Sequence, residues 1–362
     1  MAAAISSVVV VVLVVVLVLP APSAASPSPY LSPATLVRNY QNMLSNFKIF
    51  VYTHPSNSKP FDSRFPAASL FYKSLLRSRF VTPDPAQAHL FFVPFSPHTS
   101  ARSLGRIIRD LRSAYPYWNR TLGADHFFLS PVGIDFSSDR NVLELKKNSI
   151  QISLFPVVSG LFIPHKDITL PPLIPPRRTP PPENPTAPPS ILGYLRWDGT
   201  RGVNFVSQMK GDPDFLVEEL KSEGAGQEVL RRSRSSRFCL FVYGGGEAAW
   251  AWAVEAMREG CVPAVIVERP IQDLPLMDVL RWCDMAVVVE GGRVKEVLSG
   301  VSEEKWAEMR EVGMAVAAKH LVWNAVAEEG AAAMDVFHMV MYQLWQRRHV
   351  VRYARRELSM LD

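Results

Sequence analysis

Phe238-Cys-Leu-Phe-Val242, then Tyr243, then Gly244-Gly245-Gly246, then Glu247-Ala-Ala-Trp-Ala-Trp-Ala-Val-Glu255 is the stretch that decides the fold. Its apolar, aromatic opening reads as a buried strand. Three glycines end that strand, and alanine-rich sequence opens a helix at Glu247. The helix stops at Arg258-Glu259-Gly260, where glycine is a natural C-terminal residue. Cys261-Val-Pro-Ala-Val-Ile266 follows as a second apolar strand. Strand, glycine turn, helix and strand form the repeating unit of a parallel α/β sheet.

The same stretch carries chemistry. Glycines let a backbone come close to a phosphate, and a helix N-terminus offers free N–H groups and a favourable dipole. Three glycines before a helix also serve as a plain tight turn. Glu247 and Glu255 are eight residues apart, which places them roughly 80° apart around a helix and about 12 Å along it. Such a pair can reach different parts of one nucleotide sugar. The bland alternative is two solvated glutamates on an exposed helix face.

Outward from this unit the pattern repeats. Phe47 to Thr53, Ala88 to Pro94, Phe127 to Leu129 and Ser149 to Phe155 read as strands. Ala67 to Arg79 and Ser103 to Ala114 carry helical spacing between them. Residues 171–189 hold four proline clusters and read as a linker. Beyond it, strands are expected at Ser190 to Leu195, Phe238 to Val242, Val262 to Val267 and Ala286 to Val289. Helices at about Glu303 to His320 and Met334 to Arg348 close the chain. The expectation is an α/β protein of two halves, 47–170 and 190–350, with ligands at the carboxyl ends of the strands.

At 362 residues and 48% apolar side chains the chain can bury two cores. A net charge of +5 is mild and carries no arginine-rich arm, which argues against nucleic acid. Ile5 to Leu19 is a valine and leucine run ending at Pro20. Residues 1–25 therefore read as a signal peptide or a signal-anchor, with 26–46 as a stem. Cys239, Cys261 and Cys283 show no metal spacing. They read as buried thiols, with one bridge open to an oxidising lumen.

Several ordered segments stand out: Lys48-Ile-Phe-Val-Tyr52, Asp84-Pro-Ala-Gln-Ala-His-Leu-Phe-Phe-Val-Pro-Phe95 and Tyr115-Pro-Tyr-Trp-Asn-Arg-Thr-Leu-Gly-Ala-Asp-His-Phe127. Lys166-Asp-Ile-Thr-Leu-Pro171, Val254-Glu-Ala-Met-Arg-Glu-Gly-Cys-Val-Pro263 and Asp335-Val-Phe-His338 continue the series. Together they resemble the exostosin-type glycosyltransferases, glycosyltransferase family 47, in particular the plant cell-wall set. The resemblance implies two Rossmann-like domains facing across a cleft, the GT-B type. It implies an acceptor-side first half and a nucleotide-sugar-binding second half, with inversion at the anomeric carbon and no obligatory metal. A UDP-sugar donor, a hemicellulose or pectin acceptor and a type II Golgi membrane location follow from it, possible partner glycosyltransferases included. Glu255 matches the family's ribose-binding glutamate, and Glu247 matches an earlier acid. The family carries arginine three residues before that glutamate and a small residue two positions earlier; this chain carries Trp252 and Trp250. Those indoles favour a second reading, a GT-B-shaped partner subunit without catalysis. A secreted carbohydrate-binding protein is a third.

Inverting transfer needs a base for the acceptor hydroxyl and a cationic or dipolar site for the departing diphosphate. Asp125 and His126, before an apolar strand, are the candidate base; alternatively they brace their loop. The nucleotide-sugar site is expected from Gly244, Gly245, Gly246, Glu247 and Glu255, with Arg201 and Arg237 as candidate phosphate cations. Asn119-Arg-Thr121 is a glycosylation sequon. Asp212-Pro-Asp214 looks like a metal-binding acid pair but lies in a polar loop with no strand leading into it, and is set aside.

Overall fold

A computed structural model describes residues 28–53, 61, 63–158, 160–174, 188–199, 202–220, 226–267, 271, 273–290, 292–323 and 334–358. The hydrophobic segment of residues 1–25, Arg201 and most of the proline-rich linker lie outside them. Among the described residues no helix is long and apolar enough to cross a membrane.

The first half begins with α1 (Pro33–Asn46), β1 (Ile49–Val51), α2 (Pro66–Arg77) and β2 (Leu90–Phe92). It continues with α3 (Ala101–Ala114), α4 (Tyr117–Thr121), β3 (His126–Leu129), α5 (Arg140–Asn148), β4 (Ile150–Leu154) and β5 (Ile168–Leu170). The five strands form one parallel sheet in the order β1-β2-β3-β4-β5. Side chains alternate across it with period two. Leu90, Phe92, Phe127 and Leu129 face α1 and α2, whereas Phe91, Phe128 and Tyr52 face α3, α4 and α5. The segment read as the end of a stem is α1, a packed helix with Leu36, Tyr40 and Met43 buried. Pro33 opens it at the first helical turn, where proline has no N–H to lose.

The second half holds β6 (Ile191–Trp197), α6 (Val203–Met209), β7 (Phe215–Glu219), α7 (Gln227–Arg234), β8 (Ser236–Val242), α8 (Glu247–Arg258), β9 (Val262–Val267) and β10 (Val287–Glu290). Helices α9 (Val294–Ser299), α10 (Glu303–Lys319) and α11 (Val336–Leu358) follow. Its parallel sheet runs β10-β9-β8-β6-β7. The order reverses between β6 and β8, and helices α7 and α8 cover the face opposite α6 and α9. In open α/β sheets, ligands bind in the crevice beyond the carboxyl ends of the strands that flank such a reversal.

The two sheets are two Rossmann-like units. They share a continuous core where Phe155, just past β4, packs edge-on against Trp250 of α8 with ring centroids 4.6 Å apart. The closing helix, grouped by sequence with the second half, crosses back to the first. Arg347 of α11 donates from Nε to Lys166 O at 2.8 Å and from Nη2 to Asp167 O at 3.1 Å. Lys166 and Asp167 brace this junction: Asp167 accepts from the N–H groups of Gln151 and Ile163, and Lys166 Nζ donates to Ser149 O at 2.6 Å.

Candidate functional site

The glycine turn sits at the carboxyl end of β8, beside the order reversal. Gly244 has φ +89, a conformation that excludes most side chains. Gly245 donates to Val242 O at 2.9 Å, and a Cβ there would lie 3.0 Å from that carbonyl. Gly246 is the N-cap of α8 and has no side chain to satisfy the N–H groups that follow. The helix start is exposed at Gly246, so these donors face solvent. Tyr243 OH donates to the Asp273 carboxylate, which fixes the turn to the loop beyond β9.

Cys239 of β8 and Cys261, before β9, form a disulfide. It is buried and closes a loop that contains the turn and all of α8. Sequence spacing left this pairing open. It forms because β8 and β9 are neighbours, a fact carried by topology.

Glu247 and Glu255 lie on the half-buried outer side of α8. Among the described residues neither carboxylate has a hydrogen-bond partner. Burial raises both above the usual carboxylate range; for Glu255 this outweighs the opposing pull of Arg258 and Arg196. A half-buried carboxylate without a donor is ready to accept hydroxyls from a ligand.

Trp250 and Trp252 point elsewhere. Trp250 is fully buried among Phe155, Phe241 and Trp282. Trp252 packs against Tyr194 of β6 beside the disulfide. Both indoles fill the core beneath the helix and leave its N-terminus open.

The remaining nominated residues separate from this site. Arg237 is near the amino end of β8, and seven residue steps, about 23 Å when extended, separate it from Gly244. Its guanidinium pairs with Glu303 at 3.0 Å, donates to Val301 O at 2.7 Å and stacks on Trp306. It therefore cannot meet a diphosphate at the turn. His126 opens β3 at its amino end, the edge away from the crevice, and has no exposed surface. Its Nε2 lies 2.9 Å from Tyr52 OH and its Nδ1 lies 2.7 Å from Asp125 Oδ1. Burial pushes His126 down, toward the neutral ring. Burial alone would raise Asp125, but His126, Thr121 and Arg120 hold it below its usual value. The pair is a loop brace, not an acceptor base. Asn119 lies exposed on α4 and bonds Arg112 through both amide atoms. Asp212 and Asp214 share the Lys295 ammonium, at 2.9 and 2.7 Å.

Sequence reading missed three features. Asp198, just past β6, accepts from Gly246 N at 3.4 Å. Arg196 lies buried on β6. His98 and Asp135 stand in the loops leaving the carboxyl ends of β2 and β3. Strand-to-strand adjacency, invisible in local pattern, supplies each signal.

Two parallel sheets, with a glycine-led helix at the topological reversal of the second, are the frame of a two-domain α/β protein. Residues 43–303 match the Exostosin GT47 domain, and the chain belongs to that family of glycosyltransferases, whose fold is GT-B. It is 27% identical to "Probable glycosyltransferase At5g25310" of Arabidopsis thaliana, across 88% of this chain and 71% of that protein. It is 25% identical to "Probable glucuronosyltransferase Os02g0520750" of Oryza sativa subsp. japonica, across 83% of this chain and 78% of that protein. It is 26% identical to "Probable glucuronosyltransferase 47 A" of Physcomitrium patens, across 83% and 75%.

Proposed function

We propose that this glycosyltransferase moves a sugar from a UDP-sugar to a plant cell-wall polysaccharide, with inversion, in the Golgi lumen. The observation that carries the reading is the pair Glu247 and Glu255, unpartnered and half-buried along the helix that the glycine turn opens. The helix start takes the diphosphate, and Glu255 accepts the ribose hydroxyls. Glu247, nearer the helix start, accepts hydroxyls of the transferred sugar. The acceptor approaches from the carboxyl edge of the first sheet, and His98 or Asp135 removes its proton. No metal ion is required in this scheme; the dipole and N–H groups of α8 share the leaving-group charge with nearby cations. Relatives named as glucuronosyltransferases make glucuronic acid the first donor sugar to try.

The apolar run Ile5 to Leu19 supports delivery to the secretory pathway and a type II Golgi anchor. A buried disulfide suits an oxidising lumen. The partner-subunit reading drew on Trp250 and Trp252; both indoles lie under the helix and do not plug its start, while Trp252 still stands in place of the family's arginine. The test is a thermal-shift screen of UDP-sugars on the full chain, followed by mass analysis of plant oligosaccharide acceptors. One UDP-sugar should stabilise the protein and add one sugar residue to an acceptor. No shift with any UDP-sugar and no product would overturn the proposal.

A further inference from the structure

Helix α3 carries arginine at 102, 106 and 109, a spacing that puts the three within about 60° of one another and spreads them over about 10 Å of helix. All three are exposed. Among the described residues Arg102 and Arg106 have no hydrogen bond and no ion pair. Arg109 has a loose contact with Asp110 at 3.8 Å, with both side chains in solvent. The neighbouring arginines on this side of the first sheet are taken: Arg112 and Arg140 pair with Glu144, and Arg120 pairs with Asp125. Helix stability does not call for the stripe. Arg102 stands in the first turn, where the dipole disfavours a cation, and Arg102 and Arg106 repel each other across four residues.

The core side of α3 holds Leu104, Gly105 and Ile108, and the start of α5 covers one flank, where Asp139 lies against Gly105. The other flank is open. Between α3 and the residues just past β1 and β2 lies a hollow of about 190 Å³, lined by Tyr52, Thr53, Val93, Pro94, Ile107 and Leu111. Asp110, roughly 40° round the helix from Arg106, stands between hollow and stripe. A mainly apolar seat, one carboxylate and a row of guanidinium forks suit a sugar ring that bears its own carboxylate. The C–H face of the ring takes the hollow, its hydroxyls donate to Asp110, and its carboxylate meets the forks. A membrane surface suits this face less well: none of the exposed large apolar side chains lies on α3, and a helix that enters a lipid interface needs an apolar face.

We propose that the outer face of α3 binds an acidic polysaccharide, a chain of uronic-acid residues, through Arg102, Arg106 and Arg109, and so holds an acceptor chain outside the crevice. This rests on the polysaccharide-acceptor reading above and narrows it to acceptors that carry carboxylates. The chain reaches α3 from the loop that leaves the carboxyl end of β2, so Arg102 is the member of the stripe closest in sequence to that edge. Exposed charges of this kind govern encounter and selection, and salt screens them.

The test titrates the full chain with a galacturonic-acid oligomer, with a neutral xylose oligomer of equal length, and with vesicles of phosphatidylserine and phosphatidylcholine. The stripe variant combines Arg102→Gln, Arg106→Gln and Arg109→Gln. A control variant, Lys73→Gln with Arg77→Gln and Arg79→Gln, removes the same charge from exposed positions in and just after α2, on the other face of the sheet. Wild type should bind the acidic oligomer at least tenfold more tightly than the neutral one, and added salt should weaken that binding. The stripe variant should lose at least tenfold with its melting temperature unchanged, since the side chains are exposed. The control variant should keep its affinity. Should the stripe variant melt lower, Arg106→Gln alone decides, with a loss of about threefold expected and unchanged affinity contradicting the proposal. No binding of the acidic oligomer by wild type overturns it, as does an equal loss in the control, which marks general charge attraction. A neutral oligomer bound as tightly as the acidic one keeps the polysaccharide reading and overturns this one. Vesicle binding that needs the stripe, with oligomer binding that does not, assigns the face to a membrane and overturns it too. Stripe-dependent binding of the acidic oligomer supports the proposal whether or not UDP binds, so its outcome is separate from that of the donor reading.

Discussion

Trp252 of α8 meets Tyr194 of β6 edge-on, with ring centroids 5.4 Å apart and planes at 83°. The contact fixes which way α8 faces. The indole lies on the sheet beside the Cys239–Cys261 disulfide; Glu255 stands roughly 60° and Glu247 roughly 140° around the helix from it, both half-buried.

Trp250 carries the junction between the halves, because it touches Phe155 of the first and Phe241 of the second. Trp250→Ala should destabilise the protein by about 3–5 kcal/mol through the cavity it leaves. Denaturant unfolding followed by fluorescence measures this. A loss below about 1 kcal/mol would mean the indole is not packed as described.

The disulfide closes a loop spanning 22 residues. Chain-entropy arguments put its contribution at about 3 kcal/mol. The double variant Cys239→Ala, Cys261→Ala should lower the unfolding midpoint accordingly. Alkylation of the native protein under non-reducing conditions should label Cys283, which is exposed, and neither of the other two.

His320 is pushed down to about 4 by burial, although the bond to Met334 O works the other way and Lys319 adds to the fall. Its ring nitrogens contact Tyr30 OH and Met334 O, both at 2.7 Å. The folded protein binds this proton less readily than the unfolded chain, whose histidine titrates near 6.5. Its stabilising contribution is therefore full above pH 6.5 and is lost as pH falls toward 4, by of order 3 kcal/mol. Urea midpoints between pH 7 and 4 should show this slope, and His320→Gln should flatten it. An equal slope in the variant would assign the effect to other groups.

Gly244 holds φ +89, and a side chain there strains the turn. Gly244→Val should cost about 1–2 kcal/mol in stability and weaken nucleotide binding more than that loss explains. Isothermal titration beside thermal unfolding separates the two effects. Wild-type affinity in this variant would detach the turn from the ligand.

Much of this architecture is readable from local pattern. The runs Phe238 to Val242 and Val262 to Val267 are apolar enough to be central strands, and both are. Helix α8 begins at Glu247, where the glycines end. What local pattern misses depends on pairing. Phe215-Leu-Val-Glu-Glu219 is a half-exposed edge strand whose apolar run, Phe215 to Val217, is too short to mark it. Asp125 and His126 looked well placed because they precede a strand, yet they stand at its amino end, and ligand crevices open at the carboxyl end. Arg237 could have been set aside by counting extended residues back from Gly244. Arg196 lies in Gly-Tyr-Leu-Arg-Trp, which reads as a strand like any other; that β6 lies next to β8 is carried by pairing alone.

The central claim is that the outer side of α8 receives a nucleotide. The most direct test is titration of the full chain with UDP, in wild type and in Glu255→Ala, with melting curves of both. Micromolar UDP binding that drops at least tenfold in a normally folded Glu255→Ala protein is the predicted result. No binding by wild type at millimolar UDP, or equal affinity in the two proteins, would contradict it.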